Sequence, residues 1–453
     1  MPSLTVIGSA GLILMLALMA LRMPVAIAML LIGFVGTAVA NAQKFLGLGM
    51  QSGQAWSRAW TIAMSNLSGE AFEAASNYNL LVIPMFVLMG SIAGVSGMSN
   101  DLFTAAYRWM GHFRGGLASA TIAACAGFAA LSGSSLASAV TMGRVALPAM
   151  RTYKYDNSLA TGTVAAGGTL GFLIPPSGGM IIYAILTDQS IGRLFMAGII
   201  PGIVLTLLFI LTIMIVVIRN PEAGPRGERS STRARVASLI DAFPIMAVIS
   251  ITIGGMYTGY FTPVEASSAG AFFALVVAGL KGKLSLEKLK LVVLQTTSAT
   301  ATIFMILIGA FVFIPFMSLT ELPASLIALL TGLPIGDMGV LIAIVAAYML
   351  LGMFLESMAM LVLTLPVVIP IAIALNWDLI WFGIIVVILL EMGMISPPVG
   401  INVFVVKSIV PDVPMREIFK GIWPFWFAML AMIVLLVLFP QIALYLPRTI
   451  VGI

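Results

Sequence analysis

Apolar stretches long enough to cross a membrane recur along the chain, divided by short polar segments. A bilayer core takes about 20 apolar residues in a helix. Runs near 4–21, 25–40 and 78–98 therefore predict crossings, with a polar, amphipathic segment at 41–77 before the third. A surface helix is expected at 99–115. The run 117–150 is broken at Leu131-Ser132-Gly133-Ser134-Ser135, and two short apolar arms about a polar break predict a re-entrant hairpin. A broken span follows at 157–187, then an interfacial helix near 190–199 and a whole span at 200–219. Residues 220–242, with Pro221, Gly224, Pro225 and several arginines, read as a linker exposed to solvent. Spans near 243–260, 262–282 and 296–318 come next. The order then starts again: a hairpin at 338–374 broken around Gly352–Ser357, a broken span at 378–410, an interfacial helix at 413–422 and a whole span at 423–447.

The recurrence is visible residue by residue. Gly171-Phe-Leu-Ile-Pro175-Pro176-Ser177 and Gly393-Met-Ile-Ser396-Pro397-Pro398-Val399 lie 222 positions apart, and the same offset takes Ser135 to Ser357 and Pro148 to Pro370. Such agreement is the mark of an internal repeat. Five crossings separate the hairpins, and an odd number makes the repeat inverted. Paired broken helices in two inverted halves are where secondary transporters place their binding sites.

Composition narrows the class. With 61% hydrophobic and 9% charged residues, the chain cannot cover a soluble surface and is read as a multi-pass membrane protein in a lipid bilayer. Its net charge of +5 is a topology signal and implies no nucleic acid. With the first hairpin entering from the cytoplasm, only Lys44, Arg58, Arg193 and Arg448 of the 22 Lys and Arg fall outside. Both termini are then external. One cysteine, Cys125, excludes a disulfide framework, and one histidine, His112, removes most metal-site and triad chemistries. Gly167-Gly168-Thr169-Leu170-Gly171 lacks the ending of a phosphate-binding loop, so no nucleotide is implied. The methionines read as gap-filling core, and Trp377, Trp381, Trp423 and Trp426 as interfacial anchors.

The chemistry lies at the breaks. An unpartnered backbone group costs several kcal/mol in hydrocarbon, so non-helical chain at that depth must line a polar cavity or bind something. Pro175 and Pro176 free carbonyls of the preceding turn, and Gly167, Gly168 and Gly171 let backbone approach closely. The tip Ser132-Gly133-Ser134-Ser135 adds hydroxyls and helix N-terminal N–H groups. Oxygens suit a sodium ion and N–H groups suit a carboxylate. In the second half the tip carries Glu356 where the first has Ser134, and the broken span supplies Gly393, Ser396 and Asn402. Glu356 is either an ion ligand or a helix cap; Glu391 is either a proton or ion relay or a structural partner of a polar neighbour. The polar side chains at the breaks, Ser134, Ser135, Ser177, Ser357 and Asn402, are the candidates for the substrate.

Ser132-Gly-Ser-Ser135, Pro148-Ala-Met-Arg-Thr-Tyr153, Gly171-Phe-Leu-Ile-Pro-Pro-Ser177 and Phe195-Met-Ala-Gly-Ile-Ile-Pro-Gly202 resemble the large membrane subunit of TRAP transporters, the tripartite ATP-independent periplasmic family. Gly352-Met-Phe-Leu-Glu356, Leu365-Pro-Val-Val-Ile-Pro370 and Ser396-Pro-Pro-Val-Gly-Ile-Asn402 agree, and the likeness covers most of 78–447. Segment 41–77 resembles an insertion before the third helix. The resemblance implies an all-α, elevator-type fold with two re-entrant hairpins and two broken helices. Residues 1–98 become scaffold, 99–199 the first transport elements, 200–319 scaffold, 320–422 the second transport elements, and 423–453 a scaffold helix with the external C-terminus.

It further implies sodium-coupled uptake of an organic acid across the bacterial inner membrane, with no enzyme activity. The expected partners are a periplasmic substrate-binding protein and a small membrane subunit. By the same resemblance, sodium ligands fall at Ser132, Ser134, Ser135, Gly168 and Gly171 in the first half and at Glu356, Ser357, Gly393 and Ser396 in the second. A stand-alone sodium- or proton-coupled dicarboxylate or citrate carrier would share the hairpins without the partners, and an ion channel would not saturate.

Overall fold

The structure, a computed structural model, describes residues 3–331 and 334–449. The end of the C-terminal stretch assigned to the outside, 450–453, lies beyond them. The described residues form helices and turns only: α1 (Leu4–Ala20), α2 (Val25–Gly47), α3 (Ser52–Ser76), α4 (Val82–Val95), α5 (Met98–Met110), α6 (Gly116–Ser132), α7 (Ser135–Thr152), α8 (Asn157–Leu173), α9 (Gly178–Leu186) and α10 (Ile191–Arg219). The chain continues with α11 (Thr232–Tyr257), α12 (Pro263–Leu280), α13 (Leu286–Leu319), α14 (Leu322–Thr331), α15 (Gly336–Gly352), α16 (Ser357–Ala374), α17 (Leu379–Ile395), α18 (Ile401–Ile409), α19 (Met415–Leu438) and α20 (Gln441–Thr449).

Short polar side chains start many of these helices by satisfying N–H groups that have no partner within the helix. Asp156 accepts from Ser158 and Leu159 at the start of α8. Ser190 and Ser231 do the same for α10 and α11. Thr262 and Glu265 form a reciprocal capping box on α12, with Pro263 in the first turn.

The repeat is carried by the elements. Hairpin α6–α7 and broken helix α8–α9 lead into α10, as hairpin α15–α16 and broken helix α17–α18 lead into α19. Five crossings by length and apolarity lie between the hairpins, namely α8 with α9, α10, α11, α12 and α13. The odd count keeps the repeat inverted.

Several expectations are corrected. The interfacial helices at 190–199 and 413–422 are the first turns of α10 and α19, which run on through Pro201 and Pro424. A proline removes one backbone hydrogen bond and kinks a helix, and the chain continues helical where neighbours pack on both sides. The segment 41–77 is the end of α2 plus α3, whose Ala55, Ala59 and Ala63 are buried at four-residue spacing while Trp56, Trp60 and Met64 stand exposed. The linker 220–242 is non-helical only to Ser231, and it is not a loop free in solvent. Gly115 N–H donates to Gly224 O, Gly227 N–H to Gly111 O, and Asp156 N–H to Ala223 O, each within 3.0 Å. At its end Arg108 Nη1 and Trp109 Nε1 donate to Ala234 O and Arg235 O, and Arg235 reaches His112 Nδ1 at 3.4 Å. The backbone of 223–227 is tied to Gly111 and to the starts of α6 and α8, while the side chains of Arg226, Arg229 and Arg233 are exposed.

The chain divides into two compact units. Unit one holds the residues up to Leu80, Ser298–Ala346 and Met358–Leu379. Within it, Gly33 faces the backbone of Val312 and Phe313 and Gly36 lies under the Phe316 ring, so α2 and α13 approach closely. Unit two holds Leu81–Thr297, Ala347–Ser357 and the residues from Ile380 onward. Its core is α8, nearly all buried, with Gly162 and Gly421 letting the backbones of α8 and α19 meet. Both hairpin tips and both breaks belong to unit two.

Candidate functional site

The first tip is built by Gly133. It takes φ +58° at the end of α6, a left-handed conformation that glycine adopts without steric cost. A Cβ there would meet Pro176 O at 2.6 Å, and Gly178 N–H donates to Gly133 O at 3.2 Å. The tip is therefore docked on the break between α8 and α9. Ser134 turns extended and caps α7, accepting from Ala137 N–H at 3.4 Å. Gly171 lies against Ser134 O and Ser138 Oγ, and Gly168 against Ser135 O and Ala139. Ser132 Oγ and Ser138 Oγ share a hydrogen bond of 2.9 Å. The residues named for the first ion site thus come together, with carbonyl and hydroxyl oxygens against the glycines of α8. Ser138 escaped the sequence reading; its position one turn after Ser134 in α7 was the available signal.

Ser177 is in a different situation. It is fully buried, its hydroxyl donates to Phe172 O, and it caps α9 by accepting from Met180 N–H. Both functions hold the break in shape. The peptide bonds Pro175–Pro176 and Pro397–Pro398 are both cis.

In the second half, Gly352 ends α15 and Glu356 precedes the first residue of α16, the helix N-cap position. Gly393 sits directly on Gly352: a Cβ on Gly393 would be 2.6 Å from Gly352 Cα. Ser396 donates to Met392 O at 2.6 Å and accepts from Trp426 Nε1 at 3.0 Å. Trp381, whose Nε1 donates to Leu436 O at 2.8 Å, is buried, and Trp426 is half-buried with its indole N–H turned to Ser396. Asn402 is fully buried and reaches across the repeat, Nδ2 to Ala165 O of α8 at 3.5 Å, with its Oδ1 lacking a hydrogen-bond partner.

Glu391 holds the centre. Its carboxyl is 1% exposed, and Ser357 Oγ stands 3.4 Å from Oε1. Ser135 of the first tip lies beside the same carboxyl but makes no hydrogen bond of normal geometry. The buried Oε2 and Ser135 Oγ are without partners. Buried oxygens left unpaired call for an ion or a water. A donor set of hydroxyl, carbonyl and carboxylate oxygens, with no group of three or more His, Cys, Asp or Glu among the described residues, fits a hard monovalent cation such as sodium. Away from the breaks, Arg151 Nη2 in the last turn of α7 binds Asp412 at 2.7 Å and holds that carboxyl below the usual aspartate range.

The family model described as "Tripartite ATP-independent periplasmic transporter, DctM component" matches residues 12–442. The C4-dicarboxylate TRAP transporter large permease protein DctM of Pseudomonas aeruginosa is 34% identical over 85% of this chain and 90% of its own length. The sialic acid TRAP transporter large permease protein SiaM of Vibrio cholerae is 31% identical over 86% and 92%, and the ectoine TRAP transporter large permease protein TeaC of Halomonas elongata 33% over 81% and 86%. Among solved structures, the Alcanivorax borkumensis YdaH transporter shares the fold at a TM-score of 0.59 and 15% identity, over 86% of this chain and 88% of that one. With two docked tips on two Pro-Pro breaks and a family match over nearly its whole length, this multi-pass membrane protein belongs to the DctM family of large permease subunits of TRAP transporters.

Proposed function

We propose that this chain is the permease of a sodium-driven importer of organic acids, fed by a periplasmic binding protein and supported by a small membrane subunit in the bacterial inner membrane. The reading rests above all on one observation: each half docks a hairpin tip against a glycine of a broken helix, Ser134 with Gly171 and Gly352 with Gly393, and the first tip surrounds its glycine with oxygens. Backbone carbonyls at such breaks coordinate sodium in secondary transporters, while helix N-termini receive the substrate carboxylate. Relatives named for C4-dicarboxylates, sialic acid and ectoine all handle carboxylates, which supports the substrate class. Sodium falls to Ser132, Ser134, Ser135, Gly168 and Gly171 in the first half and to Glu356, Ser357, Gly393 and Ser396 in the second. Ser134, Ser135, Ser177, Ser357 and Asn402 stand for the substrate, Ser177 by shaping the break.

The two tips and breaks would move together as one body between the membrane faces, an elevator. The test is uptake into proteoliposomes containing the chain with its small subunit and binding protein. An inward sodium gradient should drive uptake without ATP, and omission of the binding protein should leave it very slow. Equal uptake with potassium in place of sodium, at zero proton gradient, removes the sodium reading. Full-rate transport by the chain alone assigns it to stand-alone carriers.

A further inference from the structure

Arginines converge where α5 ends and α11 begins. Arg108, in the last turn of α5, sends Nη1 to Ala234 O at 3.0 Å, and its neighbour Trp109 sends Nε1 to Arg235 O at 3.3 Å. Arg235 folds back on the same residues. Its guanidinium carbon stands 6.0 Å from the centre of the Trp109 ring, and Nη2 reaches His112 Nδ1 at 3.4 Å. Arg229, exposed in the linker before α11, completes the group: desolvation, then the charges of Arg235 and Arg229, hold the His112 imidazole below the usual histidine range.

No acid answers this charge. Among the described residues Arg108, Arg229, Arg233 and Arg235 form no ion pair, and the first turn of α11, which carries Arg233 and Arg235, holds no acidic residue. A helix start is already partly positive, which favours an anion there and disfavours arginine. Arg235 Nε is also buried without a hydrogen-bond partner. A buried donor left unpaired calls for an acceptor. Of the nearby acids, Glu228 is in reach of Tyr107, and Asp241 lies about 120° round the helix from Arg235, where its carbonyl accepts from Lys281 Nζ at 2.9 Å.

The surroundings select the kind of anion. The span α11 has 26 residues, and about 20 fill a hydrocarbon core, so its first turns stand at headgroup depth. Leu239, Phe243 and Met246 follow Arg235 along one side of the helix and are 41%, 66% and 51% exposed. A soluble phosphate would use the arginines and leave this apolar stripe bare. A phospholipid covers both.

We propose that the end of α5 and the start of α11 bind an anionic phospholipid, its phosphate held by Arg229 and Arg235 and its acyl chains lying along Leu239, Phe243 and Met246. The lipid supplies the negative charge that the cluster lacks and fixes the linker to one leaflet.

The test is titration of the full-length protein in detergent with phosphatidylglycerol, read as the rise in Tm, against phosphatidylcholine with the same chains and against inorganic phosphate. Phosphatidylglycerol should stabilise at concentrations where the other two do not. An arginine beside an anionic headgroup is worth about 1 kcal/mol, about fivefold in affinity, so Arg229→Gln and Arg235→Gln should each raise the half-stabilising lipid concentration by about that factor. Phe243→Ala should weaken the lipid as well. Arg416→Gln, which removes an exposed arginine in the first turn of α19, should leave the titration unchanged. Equal stabilisation by inorganic phosphate means a site for a soluble anion and overturns the proposal. Equal stabilisation by phosphatidylcholine, or an equal loss in Arg416→Gln, overturns it too, since neither the headgroup charge nor this cluster would then be what is read. Should Arg235→Gln fail to fold, Arg229→Gln decides alone, because that side chain is exposed.

Discussion

Gly393 and Gly352 touch through their backbones: a Cβ on Gly393 would lie 2.6 Å from Gly352 Cα and 3.0 Å from its carbonyl carbon and oxygen. Backbone cannot yield as a side chain can. Gly393→Ala should push the second tip off α17 and cost about 1–3 kcal/mol, the usual range for overpacking. A thermal melt of the detergent-solubilised protein checks this, together with uptake, which should fall. An unchanged Tm would mean the second tip is not docked on α17.

Glu356 lies at the N-cap of α16, where ligand and cap make different demands. As a sodium ligand, its change to Gln keeps the shape, loses the charge and raises the sodium concentration needed for half-maximal uptake. As a cap, its change to Ala costs roughly 0.5–2 kcal/mol of stability, and Gln is partly tolerated. Measuring sodium dependence and Tm for both variants separates the roles. The ligand role is lost if Gln leaves the sodium dependence where it was.

Trp426→Phe removes the indole donor from Ser396 Oγ while retaining an aromatic ring beside Phe427. Ser396 still donates to Met392 O, so the cost should be near that of one hydrogen bond, about 0.5–1.5 kcal/mol. A larger fall in the sodium-dependent part of Tm than in the sodium-free Tm would show that Ser396 needs this orientation for ion binding.

Arg151 and Asp412 are 43% and 65% exposed, so their ion pair adds little at neutral pH and less at high salt. The hydrogen bond from Arg151 lowers the Asp412 pKa below 3.8, and the contribution is therefore complete above that value and lost as pH falls through the lowered one. Stability measured from pH 6 down to pH 3 should drop less steeply in Asp412→Asn than in the parent. Parallel curves would assign the acid limb to other carboxylates.

The hairpins and broken helices were legible because their signals are local. Pro175-Pro176 and Pro397-Pro398 stop a helix wherever they stand, and Gly133 with Ser134 supplies the left-handed turn and the N-cap that end α6 and start α7. The division of 190–219 and of 413–447 into an interfacial helix and a span did not hold, because α10 and α19 run on through Pro201 and Pro424. A single proline deletes one hydrogen bond, and packing on α8, α9 and α6 keeps α10 continuous. The arginine linker was legible in part: Arg226, Arg229 and Arg233 are exposed as their charges suggest, while backbone groups at 223–227 found partners on Gly111, Gly115 and Asp156.

The sequence by itself determined the membrane class, the repeat and the positions of the breaks, since apolar length, proline geometry and glycine freedom act within a few residues. Only the tertiary structure decided which oxygens meet. Ser177 turned inward to Phe172 O, Trp426 turned its indole N–H to Ser396, and Glu391 came to rest beside Ser357. Each of these depends on how segments distant in the chain pack, and a buried polar atom takes whichever partner that packing brings within reach, because leaving it unpaired in a low-dielectric interior costs more than almost any local preference.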